Sequence, residues 1–349
     1  MKIGLVGLPG SGKTTCFGIL SGRAPADTHH GATLASVPLP DPRLDRIFET
    51  ESPRKLVYAD VTFIDFDALH KGEAKKGELA LHRIAGDADA FALVVQAFGD
   101  LDHLGNALDP ASDLETLMLE MALSDLSIVS RALERLSTAP KSERVPQEIE
   151  LLERCRAHLD EGRALRDLSL SPEALKQLSG FAPLTLKPLL VVLNVGDDDL
   201  EGASAAGAAA LAQEAGLRCI TLCAALEHEI AELSPEDRQE FLADYHLDAP
   251  ARERFVRAAF EMLNLVTFYT VNDREARAWH VAKGALAPQA AGKVHSDMQA
   301  GFIRAEVVPF PAVDERGSIH AAKAAGYQRV EGKEYEVRDG DILQIRFSH

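Results

Sequence analysis

Eight consecutive residues, Gly7-Leu8-Pro9-Gly10-Ser11-Gly12-Lys13-Thr14, match the spacing G-x-x-x-x-G-K-[ST]. Each residue type answers a need of phosphate chemistry. Gly7, Gly10 and Gly12 let the backbone wrap an anion with its N–H groups pointing inward, a concavity that side chains would obstruct. The chain just past Gly12 reads as a helix start, whose partial positive charge also favours an anion. Lys13 neutralises the β and γ phosphates of a nucleotide, and the Thr14 hydroxyl is a ligand for Mg²⁺. Ser11, within the turn, and Thr15, just after it, count with the nucleotide-binding residues. The pattern is that of a nucleotide-binding phosphate loop.

Such a loop works only between a strand and a helix, and the sequence supplies both. Lys2 to Val6 is a short apolar run that stops at Gly7, and Lys13 to Leu20 carries apolar residues at Phe17 and Leu20. Further apolar runs follow at Val61–Ile64, Phe91–Val95, Leu189–Leu193 and Cys219–Cys223. Runs of this length separated by helical segments suit a parallel sheet covered on both faces, so the fold class is α/β. Asp65 ends the second run, where a carboxylate can hold Mg²⁺ or its water. Asn194-Val195-Gly196-Asp197 follows the fourth run, at the sheet edge where open α/β sheets bind ligands, and can read a base edge. The same four residues also suit a simple Asx turn.

Two further parts surround this sheet. From Asp113 to Leu136 the apolar residues Leu114, Leu117, Met118, Met121, Leu126, Val129, Leu133 and Leu136 recur every three or four positions. This spacing predicts a long amphipathic helix with Asp113 as its N-cap. Ala139-Pro140 ends it, and a second helix is expected from about Gln147 to Glu161, giving a helical-hairpin arm. From about Thr267 the chain changes character, with acidic and basic residues in balance. Alternation around Phe302–Val308 and Ile342–Phe347 predicts strands. Arg338-Asp339-Gly340-Asp341 is expected to turn the chain between a strand at Tyr335-Glu336-Val337 and the last strand. Ala285–Ala291 is a short helix or turn. The expected domains are therefore 1–112 and 179–266 for the nucleotide domain, 113–178 for the arm and 267–349 for a small α+β module.

Composition narrows the partners. Among 349 residues, 37 basic and 54 acidic ones leave a formal net charge of −17. A field of that sign does not coat nucleic acid or anionic membranes, so no DNA or membrane partner is expected and RNA contact requires a local basic patch. No apolar run reaches the length of a membrane span, and the glycine-rich start does not resemble a signal peptide. Cys16, Cys155, Cys219 and Cys223 form neither a disulfide framework nor a zinc pattern, as for reduced thiols in the cytoplasm. Cys219 and Cys223 are expected on one strand face as core residues. His29-His30 and Lys75-Lys76 are read as solvated loop residues. Arg131, Arg135, Arg144 and Arg154 are spread along the arm rather than grouped in a lid, which argues against a small-molecule kinase.

Beyond the phosphate loop, further motifs run the length of the chain: Val37-Pro38-Leu39-Pro40-Asp41-Pro42-Arg43-Leu44-Asp45, Phe63-Ile64-Asp65, Leu184-Thr185-Leu186-Lys187-Pro188 and Cys223-Ala224-Ala225-Leu226-Glu227. In the tail they are Arg277-Ala278-Trp279, Ala287-Pro288-Gln289-Ala290-Ala291-Gly292, His295, Gly301-Phe302-Ile303-Arg304-Ala305 and Gly332-Lys333-Glu334-Tyr335. In these residues the chain resembles the YchF/Obg-like ATPase family from end to end. The resemblance implies a Ras-like P-loop NTPase domain, a helical-hairpin (coiled-coil) insertion and a C-terminal TGS domain with a ubiquitin-like β-grasp. It also implies Mg²⁺-dependent hydrolysis of ATP, with GTP as the other candidate, and association with a ribosome or an RNA-associated protein through the arm and TGS domain.

The resemblance carries roles onto particular residues, and several positions depart from it. The family's base-reading motif is Asn-x-x-Glu; here Asn194 matches, Asp197 replaces the glutamate and Val195 fills the position of the guanine-specific lysine. Base choice stays open at this point. After Asp65 the family's Asp-x-x-Gly becomes Asp65-Phe66-Asp67-Ala68, and alanine penalises the backbone conformations that glycine allows. Leu69 stands where Ras-like enzymes carry a water-orienting glutamine, and His103 falls on the family's replacement for it. In switch I His29 aligns with the Mg²⁺-binding threonine, so Thr28 or Thr33 would have to substitute. These departures leave a second reading, a hydrolysis-deficient, nucleotide-gated binding module.

Overall fold

The computed structural model describes residues 1–22, 33–66, 88–138 and 146–348. Thr28, His29, His30, Ala68, Leu69, Lys75, Lys76 and Arg144 lie outside the described residues. The chain forms two compact units. One comprises Lys2–Ala35 and Thr62–Met262, and the other comprises Met1, Ser36–Val61 and Leu263–His349.

The larger unit is built on a sheet in the order β2-β4-β1-β5-β6-β7, from β1 (Lys2–Gly7), β2 (Thr33–Leu39), β4 (Ala59–Asp65), β5 (Ala90–Ala97), β6 (Leu189–Val195) and β7 (Arg218–Leu222). β1 runs parallel to β4 and β5, β5 to β6, and β6 to β7. Every residue of β5 and β6 is buried, which is why both read as apolar runs instead of alternating. Parallel pairing puts the C-terminal ends of β1, β4, β5 and β6 along one edge. That edge carries Gly7, Asp65, Gln96 and Asn194.

The helix after the phosphate loop is α1 (Lys13–Ser21). The long helix α3 (Pro110–Thr138) starts one turn earlier than its apolar spacing implied. Asp109, not Asp113, caps it, since the Asp109 carboxylate accepts the Ser112 N–H at 3.1 Å and Pro110 fills the first helical position. Asp109→Ala is expected to cost about 1 kcal/mol of stability, read by chemical unfolding. The first half of α3 puts Leu114, Leu117 and Met121 onto the sheet core. Its second half packs with α4 (Pro146–Asp160) in a separate cluster containing Val129, Leu133, Leu136, Leu152, Cys155 and Leu159. Buried Asp125 on α3 accepts the N–H groups of Leu184 and Thr185 and the Thr185 hydroxyl, at 2.5 to 2.8 Å. The arm is thereby tied to the segment that enters β6.

In the smaller unit the sheet order is β11-β10-β12-β8-β9-β3. Its strands are β3 (Lys55–Val57), β8 (Leu265–Val271), β9 (Glu275–Ala282), β10 (Phe302–Pro309), β11 (Arg329–Glu331) and β12 (Asp341–Phe347). β8 and β9 form an antiparallel pair, as do β10 and β12, while β12 lies parallel to β8 between them. Helix α10 (Ala287–Val294) packs Ala287, Ala290 and Ala291 against Phe268, Phe302 and Leu343. A helix across a mixed sheet with a central parallel pair is the β-grasp arrangement.

Two expectations differ here. The segment between β2 and β4, expected within residues 1–112, clusters with this unit. Its helix α2 (Pro42–Glu51) buries Leu44 and Ile47 against Tyr269, Ala278, Val308 and Ile342. Tyr335-Glu336-Val337 is not a strand: its backbone bonds instead to the chain that enters α10, with Ala287 N–H on the Tyr335 carbonyl and Val337 N–H on the Ala285 carbonyl. The turn at Arg338–Asp341 does form, closed by the Arg338 N–H on the Asp341 carboxylate at 2.9 Å. Cys223 also lies just past β7, where its sulfur caps α7 (Ala224–Glu232). Burial pushes the Cys219 thiol up to about 11. Burial, reinforced by the Asp65 carboxylate, pushes Cys16 up to about 12. Both are protonated packing groups at neutral pH.

Candidate nucleotide-binding site

The phosphate loop has the geometry its composition requires. Gly10 and Gly12 hold φ of 86° and 78°, in the left-handed region. A Cβ on Gly7 would meet Ser11 Oγ at 2.5 Å and the Val94 carbonyl at 2.8 Å, while one on Gly12 would run into the Asn194 amide nitrogen. Gly12→Ala therefore meets both backbone strain and a steric clash at the helix start. It is expected to weaken nucleotide binding at least tenfold in a calorimetric titration.

Lys13 is buried, and its ammonium group donates to the Asp65 carboxylate and to the Phe66 carbonyl. Lys13 and Asp65 are expected to serve separate tasks, phosphate and metal; the structure brings the two side chains into direct contact. A phosphate oxygen presented to Lys13 therefore competes with a carboxylate. Thr14 stands exposed beside them in the first turn of α1. The Thr14 hydroxyl and Asp65 carboxylate are hard oxygen donors, and no group of three metal-ligating side chains occurs among the described residues. That donor set fits Mg²⁺, which is bound through one or two protein oxygens with phosphate and water completing its shell.

Asn194 is buried at the end of β6, and its side chain bridges two loops. Nδ2 donates to the Ser11 carbonyl at 2.9 Å, and Oδ1 accepts the Ala224 N–H at 3.0 Å. Beside it opens a cleft of about 800 Å³, whose lining includes Gly12, Thr15, Asn194, Val195 and Asp197. The structure thus brings together the loop and the Asn-x-x-Asp segment, which lie far apart in sequence. The rim is acidic, with Asp100, Asp198 and Asp199 joining Asp197. Asp199 is engaged by the N–H groups of Ala203 and Ser204, each at 2.8 Å.

His103 lies on the loop between β5 and α3. Asp102 shapes that loop by accepting the N–H groups of Leu104 and Asn106 at 2.8 and 2.9 Å, while its own N–H bonds the Asn106 carbonyl. These donors, Asn106 first, hold the Asp102 carboxyl below the usual range, so the turn is intact at neutral pH. The imidazole is exposed, and its Cβ lies 3.2 Å from where a Cβ on Gly10 would sit. His103 therefore flanks the phosphate loop, while Leu69 falls outside the described residues.

Two contributors, Phe98 and Gln96, escaped the sequence reading, while Ser11 lies where the loop pattern put it. Phe98 lines the cleft, and Gln96 anchors the loop that follows it. Ser11 Oγ is buried without a hydrogen-bond partner among the described residues. Of Phe98 and Gln96, only Gln96 left a sequence signal, as the one amide in the otherwise apolar run of β5.

Comparison with known proteins extends the picture. A family model named YchF-GTPase_C, described as a protein of unknown function (DUF933), matches residues 265–348. The chain is 37% identical to the ribosome-binding ATPase YchF of Haemophilus ducreyi, over 99% of both chains. It is 34% identical to the ribosome-binding ATPase YchF of Bacillus subtilis, over 100% of this chain and 99% of that protein. Among solved structures, the YchF GTPase of Schizosaccharomyces pombe matches with a TM-score of 0.82 and 26% identity, covering 99% of this chain and 97% of that one.

Proposed function

We infer the function from one premise, that this chain belongs to the YchF family of P-loop nucleoside triphosphatases. It is a nucleotide-binding protein that hydrolyses ATP in preference to GTP and engages the ribosome. The observation that carries this reading is the convergence of Lys13, Asp65 and His103 on one phosphate loop, with the Asn194 cleft beside it. Lys13 and the loop N–H groups stabilise charge on the transferring phosphoryl group. The Thr14 hydroxyl and Asp65 carboxylate would hold Mg²⁺, which supplies charge neutralisation at the phosphates. His103 orients the attacking water. In the cleft Asn194 keeps the loops in place, Val195 packs the floor and Asp197 accepts an exocyclic amino group of the base.

The arm and the C-terminal β-grasp unit make the ribosomal contact, through an RNA or a ribosomal protein, and the protein acts in the cytoplasm. No helix among the described residues is long and apolar enough to cross a membrane. The test is steady phosphate release by the full chain with Mg²⁺ and either ATP or GTP, no acceptor being present. Turnover with ATP ahead of GTP is the expected result. Tight binding without turnover would replace the hydrolase with a nucleotide-gated binding module.

A further inference from the structure

Gln96 stands opposite Asn194 in the β5–β6 register, so the two carboxamides project side by side from the sheet edge. It is 7% exposed. Its Nε2 donates to the Phe98 carbonyl at 3.2 Å and to the Leu101 carbonyl at 3.1 Å. Both carbonyls belong to the chain that leaves β5, immediately before His103. Its Oε1 lies 3.2 Å from where a Cβ on Gly10 would sit, and the Cβ and backbone nitrogen of His103 border the same spot at 3.2 and 3.8 Å. One side chain therefore adjoins the phosphate loop, the root of the His103 loop and the backbone of Phe98, whose residue lines the cleft.

We propose that Gln96 is a positioning residue that sets His103 against the phosphate loop, an inference that rests on the water-orienting role read for His103. A carboxamide suits the place because its nitrogen can serve two carbonyls while its oxygen faces the glycine turn. A glutamate of the same shape has no N–H at neutral pH, and it would set a carboxylate against two carbonyl oxygens. A methionine fills similar space without the donors. The neighbouring cavity of about 10 Å³, which Gln96 shares with Ser11, His103 and Asp113, has room for at most one water to replace them. Displacement of a catalytic group by an ångström is enough to slow a reaction on the order of 100-fold.

The experiment compares wild type, Gln96→Glu and Gln96→Met, each with and without His103→Ala, in two readouts. The first is amide hydrogen exchange of the free protein. Leu104, Asn106 and Leu108, which donate to the Asp102 carboxylate and the Asp100 carbonyl, should exchange at least tenfold faster in both variants. The second is turnover: kcat should fall at least tenfold with KM within threefold, and the fall should vanish in the His103→Ala background. Unchanged exchange overturns the proposal. So does a kcat loss that adds to that of His103→Ala, which would mark a general structural role. If wild type turns over no nucleotide, the hydrolase reading falls, and the exchange measurement alone decides whether Gln96 holds the loop.

Discussion

Lys13→Ala is expected to lower nucleotide affinity about 100-fold, measured by calorimetric titration. The estimate follows from losing a charge-assisted contact of about 3 kcal/mol to phosphate. The same substitution strands the Asp65 carboxylate, which is 6% exposed and has Lys13 as its ion-pair partner. Removing one member of a buried pair costs about 3 kcal/mol of stability, because the remaining charge is left uncompensated. The two losses separate in the double variant Lys13→Ala with Asp65→Asn. Neutralising the stranded carboxylate should recover most of the stability and none of the affinity. Full affinity in Lys13→Ala would show that the loop does not bind the nucleotide's phosphates.

The second large effect is on turnover. His103→Ala is expected to lower kcat about 100-fold, the scale of one positioned proton-transfer or water-orienting group, while nucleotide affinity stays within about threefold. The substitution leaves the loop itself in place, since Asp102 and the backbone pairing of Leu101 with Ala107 hold its shape without the imidazole. The measurement is phosphate release under saturating nucleotide, beside a titration for affinity. An unchanged kcat would take His103 out of the chemistry, whatever its distance from Gly10.

Residues near in sequence were the most legible. The phosphate loop needs only eight consecutive positions, and the β5 and β6 strands announce themselves as apolar runs because both faces are covered. Periodicity places the start of α3 too late because it begins with the first apolar residue, Leu114. The cap at Asp109 and the proline after it carry no apolar signal. The packing of the segment between β2 and β4 is not legible for a different reason: Leu44 and Ile47 find their partners more than 200 residues away, and a local pattern does not say which core it joins. Asn194 was legible as a residue but not as a bridge, since its bond to Ser11 spans 183 positions. Gln96 shows the converse. A lone amide in a buried strand has to find partners, and that requirement was visible before the partners were.

The family shares this fold; the proposed function further requires that one site join the loop, the His103 segment and the Asn194 cleft. The measurement that tests this most directly is amide hydrogen exchange of the full chain with and without saturating ATP and Mg²⁺. Three separated stretches should gain protection together and at the same ATP concentration: 8–15, 96–107 and 194–199. Protection confined to 8–15, or the three stretches responding at different concentrations, would contradict a single nucleotide site.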